Sequence, residues 1–487
     1  MLADEIRSKY TVVIGLEVHA QLQTKSKIFC ADSNIFGAAP NTNISPISLG
    51  HPGTLPKLNK EVVDYAIKMG LACNCEITEE NIFARKNYFY PDLPKGYQIT
   101  QDKAPICKNG IVMIRPKGED SRAIALNRIH LEEDAGKSMH LSGETETAVD
   151  FNRAGVPLIE IVTEPVLRSS AEAIAFVTEV RRLLRYLEVC DGNMEEGSLR
   201  CDANVSVMLN DAKEYGSKVE VKNMNSIKSV QRAIEHEVER QIGLIEQGIN
   251  IVSETRDFDA ASGATSSLRS KEDLNDYRYF PEPDLAPLIV NEEWIERIRA
   301  TMPLLPQELV KKFTNTYQLS QYDAEVLTDN KGVALYFDLL CQHTSNYKAA
   351  SNWVMGTIKS YLNEHHLLIA DFSVAPQRIA ALIKLVDEQK VSNSIATQKI
   401  FPLMIKQPNE QPENIAKANN FIQDSSSDSI QPLIDEVLLN MADKVQAYKS
   451  GKKGLIGLFM GEVMKKSNGK ADPQLTSRLL KDTLENK

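Results

Sequence analysis

The sequence predicts an α+β protein: an N-terminal domain on a largely antiparallel sheet with helices, followed by an all-helical domain and a small helical tail domain. Three observations predict this. Segments within the first ~290 residues alternate apolar and polar side chains with the period of a strand. Two longer segments among them carry apolar residues at three-to-four spacing, the period of a helix. Beyond the Pro-rich stretch Pro281–Pro287 the strand pattern fades and the helix pattern takes over. The domain boundaries fall at 1–293, 294–407 and 408–487 on this reading.

The elements follow in chain order. Thr11–Leu22 alternates, with Val12, Ile14, Leu16 and Val18 on one side and Val13, Gly15, Glu17, His19 and Gln21 on the other. That is a strand with one buried face. Arg128–Asp134 alternates less cleanly. Ser170 is expected to cap a helix through about Leu187, striped by Ile174, Val177, Val180, Leu184 and Leu187. Leu199–Val207 puts Leu199, Cys201, Ala203, Val205 and Val207 on one face and Arg200, Asp202, Asn204 and Ser206 on the other. Val219 and Val221 alternate with Glu220 and Lys222. Asn225 or Ser226 caps a second helix, striped by Ile227, Val230, Ile234, Val238, Ile242 and Ile245. Strands paired mostly antiparallel, with helices segregated from them, make an α+β domain. After Glu292, helix-period segments fall around Pro306–Thr314, Gly332–Gln342 and Pro376–Val386. The polar stretch Gln407–Asp428 suggests a domain boundary nearby, and the tail beyond it returns to helix, interrupted by a Gly/Lys loop at Gly451–Gly454.

Length, charge and cysteine usage narrow the class. A chain of 487 residues suggests roughly three domains. The net charge of −10 argues against a surface that binds polyanions everywhere, yet allows local basic patches. Residues 441–487 hold ten Lys/Arg against five Asp/Glu, a local +5. Such asymmetry points weakly to nucleic acid and suits a solvated basic face as well. The seven cysteines (Cys30, Cys73, Cys75, Cys107, Cys190, Cys201 and Cys341) are odd in number and show no repeated spacing, which reads as reduced thiols in a cytosol. Residues 1–10 are charged and do not read as a secretory signal. No apolar run approaches the ~18 residues of a membrane span. The expected location is cytoplasmic.

Four constellations carry possible chemistry, and each also has a plain structural explanation. Glu17 and His19 lie two apart on a strand and share a face, so they can ligate a cation together, or simply line a polar surface. Glu132, Glu133 and Asp134 are consecutive acids beyond His130. They repel one another unless water or a cation sits among them. Arg200, Asp202, Asn204 and Ser206, with Glu220, Lys222 and Asn223, bring both charge signs to a second polar face. Arg85 to Tyr97 interleaves cations with aromatic rings, which suits stacking against nucleic acid or an aromatic core.

Absent motifs narrow the field further. The chain has no Gly-x₄-Gly-Lys-Ser/Thr and no Gly-x-Gly-x-x-Gly, so any ATP is held without a P-loop or Rossmann fingerprint. It has no Gly-x-Ser-x-Gly elbow. The Ser-x-x-Lys matches at Ser345–Lys348, Ser450–Lys453 and Ser467–Lys470 are short chance patterns, and they give a hydrolase little support.

Five segments in order, Gly15–Leu22, Arg85–Gly96, His130–Lys137, Glu195–Asp202 and Asp276–Asp284, closely resemble the hallmark motifs of the B subunits of tRNA-dependent aspartyl/glutamyl-tRNA amidotransferases. Asn352-Trp353 and Gly451–Pro473 resemble that family's helical and tail regions. The resemblance is collinear over nearly the whole chain. It implies a ligase subunit that turns Glu-tRNA(Gln) or Asp-tRNA(Asn) into the amide with ATP and Mg²⁺. It implies a heterotrimer with an amidase-type A subunit, which frees ammonia from glutamine, and a small C subunit. It makes the N-terminal domain a catalytic cradle, with Glu17, His19 and Glu133 as metal ligands, Glu132 nearby, and Lys86 on the ammonia path. Asp202 and Glu220 are weaker candidates in the same cradle. The tail lysines Lys452, Lys453, Lys465 and Lys466 are implied to contact tRNA, through charge rather than base readout.

One departure stands out. Many members carry four cysteines for zinc in the segment after the first motif. The matching positions here are Cys30, Asp32, Ser45 and Ser48. Three hard oxygens and one sulfur make a poor structural zinc site, so no zinc is expected and that loop must be held by packing or hydrogen bonds. The rival reading is a non-catalytic tRNA-binding scaffold, in which the acidic cluster is a solvated face.

Overall fold

The computed structural model describes residues 3–140, 146–270, 277–422, 427–467 and 469–486. Asp276 at the head of one motif, Asn468 and Lys487 in the tail, and part of the polar stretch before residue 428 lie outside the described residues. The chain divides by its internal packing into two units, Met1–Leu305 and Pro306–Lys487.

The first unit is built on a twisted sheet. Its strands run in the order Ala264–Ser270, Glu254–Asp259, Val219–Met224, Leu199–Leu209, Tyr10–Gln21, Pro157–Thr163, Arg122–Glu133, Cys107–Lys108 and Glu76–Ile77. Ile111–Ile114 pairs with the Arg122–Glu133 strand as well. The pairings are antiparallel except for Val219–Met224 with Glu254–Asp259. That pair needs a crossover connection, and the helix Ile227–Glu246 between them supplies it.

The alternation in the sequence explains how the sheet buries one face. Leu16, Val18 and Ala20 of the central strand are fully buried, as are Cys201, Ala203 and Val205 beside them. Helices Ser170–Tyr186 and Ile227–Glu246 share that core, through Ala173, Phe176, Val177, Val180 and Leu184 on one and Val230, Ala233, Ile234, Val238 and Ile242 on the other. Burying each large side chain contributes about 1.5–3 kcal/mol. The cap of the first helix is Ser169, which accepts from the Glu172 amide at 3.1 Å. Ser170, expected in that role, instead donates to Glu235 at 2.5 Å. Ser226 caps the second helix.

The first unit runs past residue 293 for a physical reason. Ile295 and Ile298 of the helix Glu292–Arg299 join the same apolar core, and Trp294 Nε1 donates to Asp64 at 2.5 Å. The second unit is helical, with Pro306–Asn315, Lys331–Cys341 and Pro376–Asp387 where the helix-period segments fall. Within it, helices from Ser427 onward gather Ile430, Ile434, Val437, Phe459, Val463 and Leu480 into their own apolar cluster. A helix, Pro412–Ala418, occupies part of the polar stretch. Among the described residues, no helix is long and apolar enough to cross a membrane.

Candidate active site

Strand register assembles the polar face opposite the helices. His19 lies opposite Glu160 on one side and Arg200 on the other, and Glu160 lies opposite His130. Glu17 lies opposite Asp202, and Asn204 opposite Glu220. Cross-strand partners share a face, so neighbouring strands bring their charged residues to one surface.

Two groups on this face can each hold a cation. In the first, His19, Glu132 and Glu160 have ligand atoms all within 4.8 Å of one another; the second is Glu17, Asp202 and Glu220. In the first group His19 Nε2 is 3.3 Å from Glu160 Oε2 and 3.6 Å from Glu132 Oε1. His130 Nε2 approaches the same Glu160 oxygen at 3.1 Å. Burial lowers His130, but the Glu160 and Glu132 carboxylates outweigh it and push the imidazole up to about 9. His19 rises for the same reason. Glu160 is raised by burial, yet the two imidazoles hold it well below the carboxylate range. Oxygen donors with one imidazole suit a hard divalent ion.

In the second group, burial and the Glu160 charge push Glu17 up, against a hydrogen bond from Asn204 Nδ2 at 2.9 Å. Lys222 Nζ reaches Asp202 Oδ2 at 2.6 Å and Glu220 Oε1 at 2.9 Å. Burial opposes its charge, but those two carboxylates win and hold it well above the ordinary lysine range.

The remaining acid of the run, Asp134, is buried among cationic and amide partners. It accepts from Arg200 Nη2 and Gln21 Nε2, each at 2.9 Å. Burial raises it, and Arg200 with Arg153 brings it below its usual range.

Glu133 departs from the expected ligand set. It belongs to neither group, because successive side chains of a strand point to opposite faces and Glu132 takes the polar one. Its carboxylate instead meets Lys95 and accepts from the Ile99 amide at 2.8 Å. There it lines a separate cavity of about 210 Å³ with Cys30, Ser48, Lys95 and Gly155.

Lys86 reaches the site from a small sheet of Ala84–Asn87 between Tyr97–Thr100 and Arg278–Pro281. Its ammonium lies 4.5 Å from the Tyr277 ring centre and 5.9 Å from that of Tyr88. Burial disfavours its charge, but Glu132 and its other neighbours raise it overall. Arg85, one residue earlier, points the other way. It forks onto buried Glu282 at 2.7 and 2.8 Å, bonds Asp284 at 3.0 Å, and stacks 4.2 Å over Tyr97. Of the aromatics in this segment, Phe89 is 87% exposed, so it is not core.

The Cys30 loop is knitted by its own polar groups. Ser48 bonds the Asp32 carboxylate and lies 3.5 Å from Cys30 Sγ. Burial pushes Asp32 up, while hydrogen bonds, first among them the one from Ser48, bring it below its usual value. This oxygen-rich, mutually bonded set does not suit a structural zinc ion. The seven cysteines are free thiols.

In the tail, Lys452, Lys453, Lys465 and Lys466 are exposed. Lys453 sits 4.3 Å from the Tyr448 ring centre, and Lys466 pairs with Glu436.

Comparison with known proteins bears on this site directly. The profile described as the GatB/GatE catalytic domain matches residues 12–296, and the one described as the GatB domain matches residues 335–484. The B subunit of the aspartyl/glutamyl-tRNA(Asn/Gln) amidotransferase of Syntrophotalea carbinolica is 48% identical over 98% of this chain and 99% of its own. The chain belongs to the family of amidotransferase B subunits. The B subunits of the same amidotransferase from Geobacter sp. strain M21 and Pelodictyon phaeoclathratiforme are each 48% identical, over 97% and 98% of this chain and 98% and 100% of theirs. Both candidate ion-holding groups fall within the match to the family's catalytic domain, and the four tail lysines within its second match.

Sequence reasoning missed Glu160 as a site residue. The signal was present: it is the one charge within the apolar run Leu158-Ile159-Glu160-Ile161-Val162. A carboxylate buried in such a strand requires a partner.

Proposed function

We propose that this chain, with ATP, phosphorylates the side-chain carboxylate of glutamate or aspartate esterified to tRNA(Gln) or tRNA(Asn), and amidates it with ammonia from a partner glutaminase subunit. The observation that carries this is one polar sheet face presenting two cation-holding groups side by side. The family membership supplies the substrate class.

The chemistry explains the need for such a face. A carboxylate is a poor acceptor for ammonia because its leaving group would be oxide. Attack of a carboxylate oxygen on the γ-phosphorus expels ADP and leaves an acyl phosphate. Ammonia then attacks the acyl carbon, and phosphate departs. Phosphoryl transfer depends mainly on positioning and charge neutralisation. His19, Glu132 and Glu160 would hold Mg²⁺ in one position, and Glu17, Asp202 and Glu220 in the other. Magnesium bound there supplies neutralisation of the charge on the transferring phosphoryl group.

The chain's own residues do the rest. His130, on the strand that flanks Glu160 across from that of His19, holds the Glu160 carboxylate through the same oxygen. Arg200 and Gln21 fix the buried Asp134 carboxylate. Lys86 keeps a positive charge beside Glu132 and between aromatic rings, which disfavours entry of ammonium and would stabilise the negative charge that develops on the acyl group as ammonia attacks. Glu133, turned away, anchors Lys95 and the Ile99 backbone. In this reading the first unit forms the catalytic cradle, the helices that follow it to residue 407 the helical domain, and residues 408–487 the tail that contacts tRNA through its lysines. The partners are an amidase-type A subunit and a small C subunit in a heterotrimer.

The test is Glu132→Ala in the assembled enzyme. ATP-dependent transamidation should collapse while affinity for aminoacyl-tRNA stays within about twofold, since charge and phosphate contacts elsewhere dominate RNA binding. Unchanged transamidation would leave only the tRNA-scaffold reading.

A further inference from the structure

The two cation-holding groups are not equivalent, and Lys222 makes the difference. Both oxygens of Glu220 are engaged: Oε1 accepts from Lys222 Nζ at 2.9 Å, and Oε2 from Thr255 Oγ1 at 2.8 Å. Asp202 gives Oδ2 to the same ammonium at 2.6 Å. Glu17 gives Oε1 to Asn204. The first group is different in that, among the described residues, no flexible ammonium holds its carboxylates and one of its cationic neighbours, His19, is itself a candidate ligand of the ion. Among the described residues, no Lys or Arg nitrogen forms an ion pair with Glu132 or Glu160; their close cationic neighbours are the imidazoles of His19 and His130.

A divalent ion cannot join the second group without consequence. Magnesium sits about 2.0–2.1 Å from its oxygen ligands. Bound to Asp202 and Glu220, it would lie a few ångströms from an ammonium held by the same two carboxylates. Like charges that close disfavour each other strongly in a partly buried site. Lysine, however, is a compact charge on a flexible four-carbon stem, and it binds phosphate oxygens well.

We propose that Lys222 is a tethered counter-cation for the Glu17–Asp202–Glu220 group, released onto a nucleotide phosphate when a divalent ion enters. The inference rests on the ion-binding reading above and adds an order to it. The His19 group takes its ion without nucleotide. The second group takes one readily only when a phosphate is present to receive the Lys222 ammonium. Lys222 is therefore a positioning residue that couples the second ion to the nucleotide.

The experiment is a Mn²⁺ titration of the full chain, with free Mn²⁺ read by electron paramagnetic resonance, with and without a non-hydrolysable ATP analogue. Without nucleotide, the unsubstituted chain should bind one Mn²⁺ tightly, and His19→Ala should abolish that ion. Lys222→Met should acquire a second ion about tenfold or more tighter than the unsubstituted chain's second. Lys222→Arg, which keeps the cation, should behave as the unsubstituted chain. The analogue should tighten the second ion in the unsubstituted chain and do so far less in Lys222→Met. Lys222→Gln, checked by thermal unfolding, guards against a misfolded variant. Equal second-ion affinity in Lys222→Met and the unsubstituted chain overturns the proposal, as does an equal analogue effect in both. If the first ion binds normally in those cases, the ion-binding reading survives and only the role of Lys222 falls. If the unsubstituted chain binds no Mn²⁺, both fall.

Discussion

Replacing Glu160 by glutamine tests the electrostatics of the site at constant shape. Glu160 is the chief reason the buried His130 titrates near 9 instead of its ordinary 6.5. That rise corresponds to about 3 kcal/mol of stabilisation in the fully protonated limit. The sign follows from linkage. A group whose pKa is raised on folding contributes fully below its unfolded value, here 6.5, and loses that contribution as pH rises through about 9. Glu160 itself is depressed on folding, so the interaction also needs pH above the ordinary carboxylate value of 4.5. Glu132 shares in raising His130 and stays in place, so Glu160→Gln should remove only part of this, about 1–3 kcal/mol near pH ~6 and under about 1 kcal/mol near pH ~10. The assay is denaturant unfolding in chelator, followed by Trp294 fluorescence in a Trp353→Phe background, so that only the first unit reports. A stability gap that stays constant between the two pH values, or widens toward the higher one, refutes the reasoning.

Other outcomes follow from the same geometry. Glu282→Ala removes the buried partner of Arg85 and should cost about 1–3 kcal/mol, because Asp284 still pairs the partly exposed guanidinium; denaturant unfolding measures it. Lys86→Met should lower transamidation from both glutamine and free ammonia about 10²-fold with tRNA affinity intact, read by steady-state kinetics and a binding assay. Changing Lys452, Lys453, Lys465 and Lys466 together to alanine should weaken tRNA binding. It should also flatten the dependence of log K on log salt by about 0.7–0.9 for each phosphate no longer neutralised, with Lys466 contributing least because it is paired with Glu436.

Much of the fold was legible because period carries burial. The strand around Glu17 and His19 and the helices striped by Val177 and Val230 follow their apolar spacing, and spacing is set by which face meets the core. The parallel pairing of Val219–Met224 with Glu254–Asp259 was not legible, since a partner strand across a helix leaves no local pattern. The site was legible in part. Sharing a strand face put Glu17 and His19 together, and the acid run pointed to Glu132. Register decided what local spacing left open. It turned Glu133 away from that face, drew Glu160 in from a strand that reads as plain core, and split the carboxylates into two groups. The family resemblance implied a single ligand set, and strand register gathers the acidic residues into two candidate sets.

The most direct measurement is anomalous scattering from Mn²⁺ in crystals of the chain soaked with a non-hydrolysable ATP analogue. The account predicts two peaks on the polar sheet face, one ligated by His19, Glu132 and Glu160 and the other by Glu17, Asp202 and Glu220. Peaks elsewhere, or none on that face with the analogue bound, would contradict it.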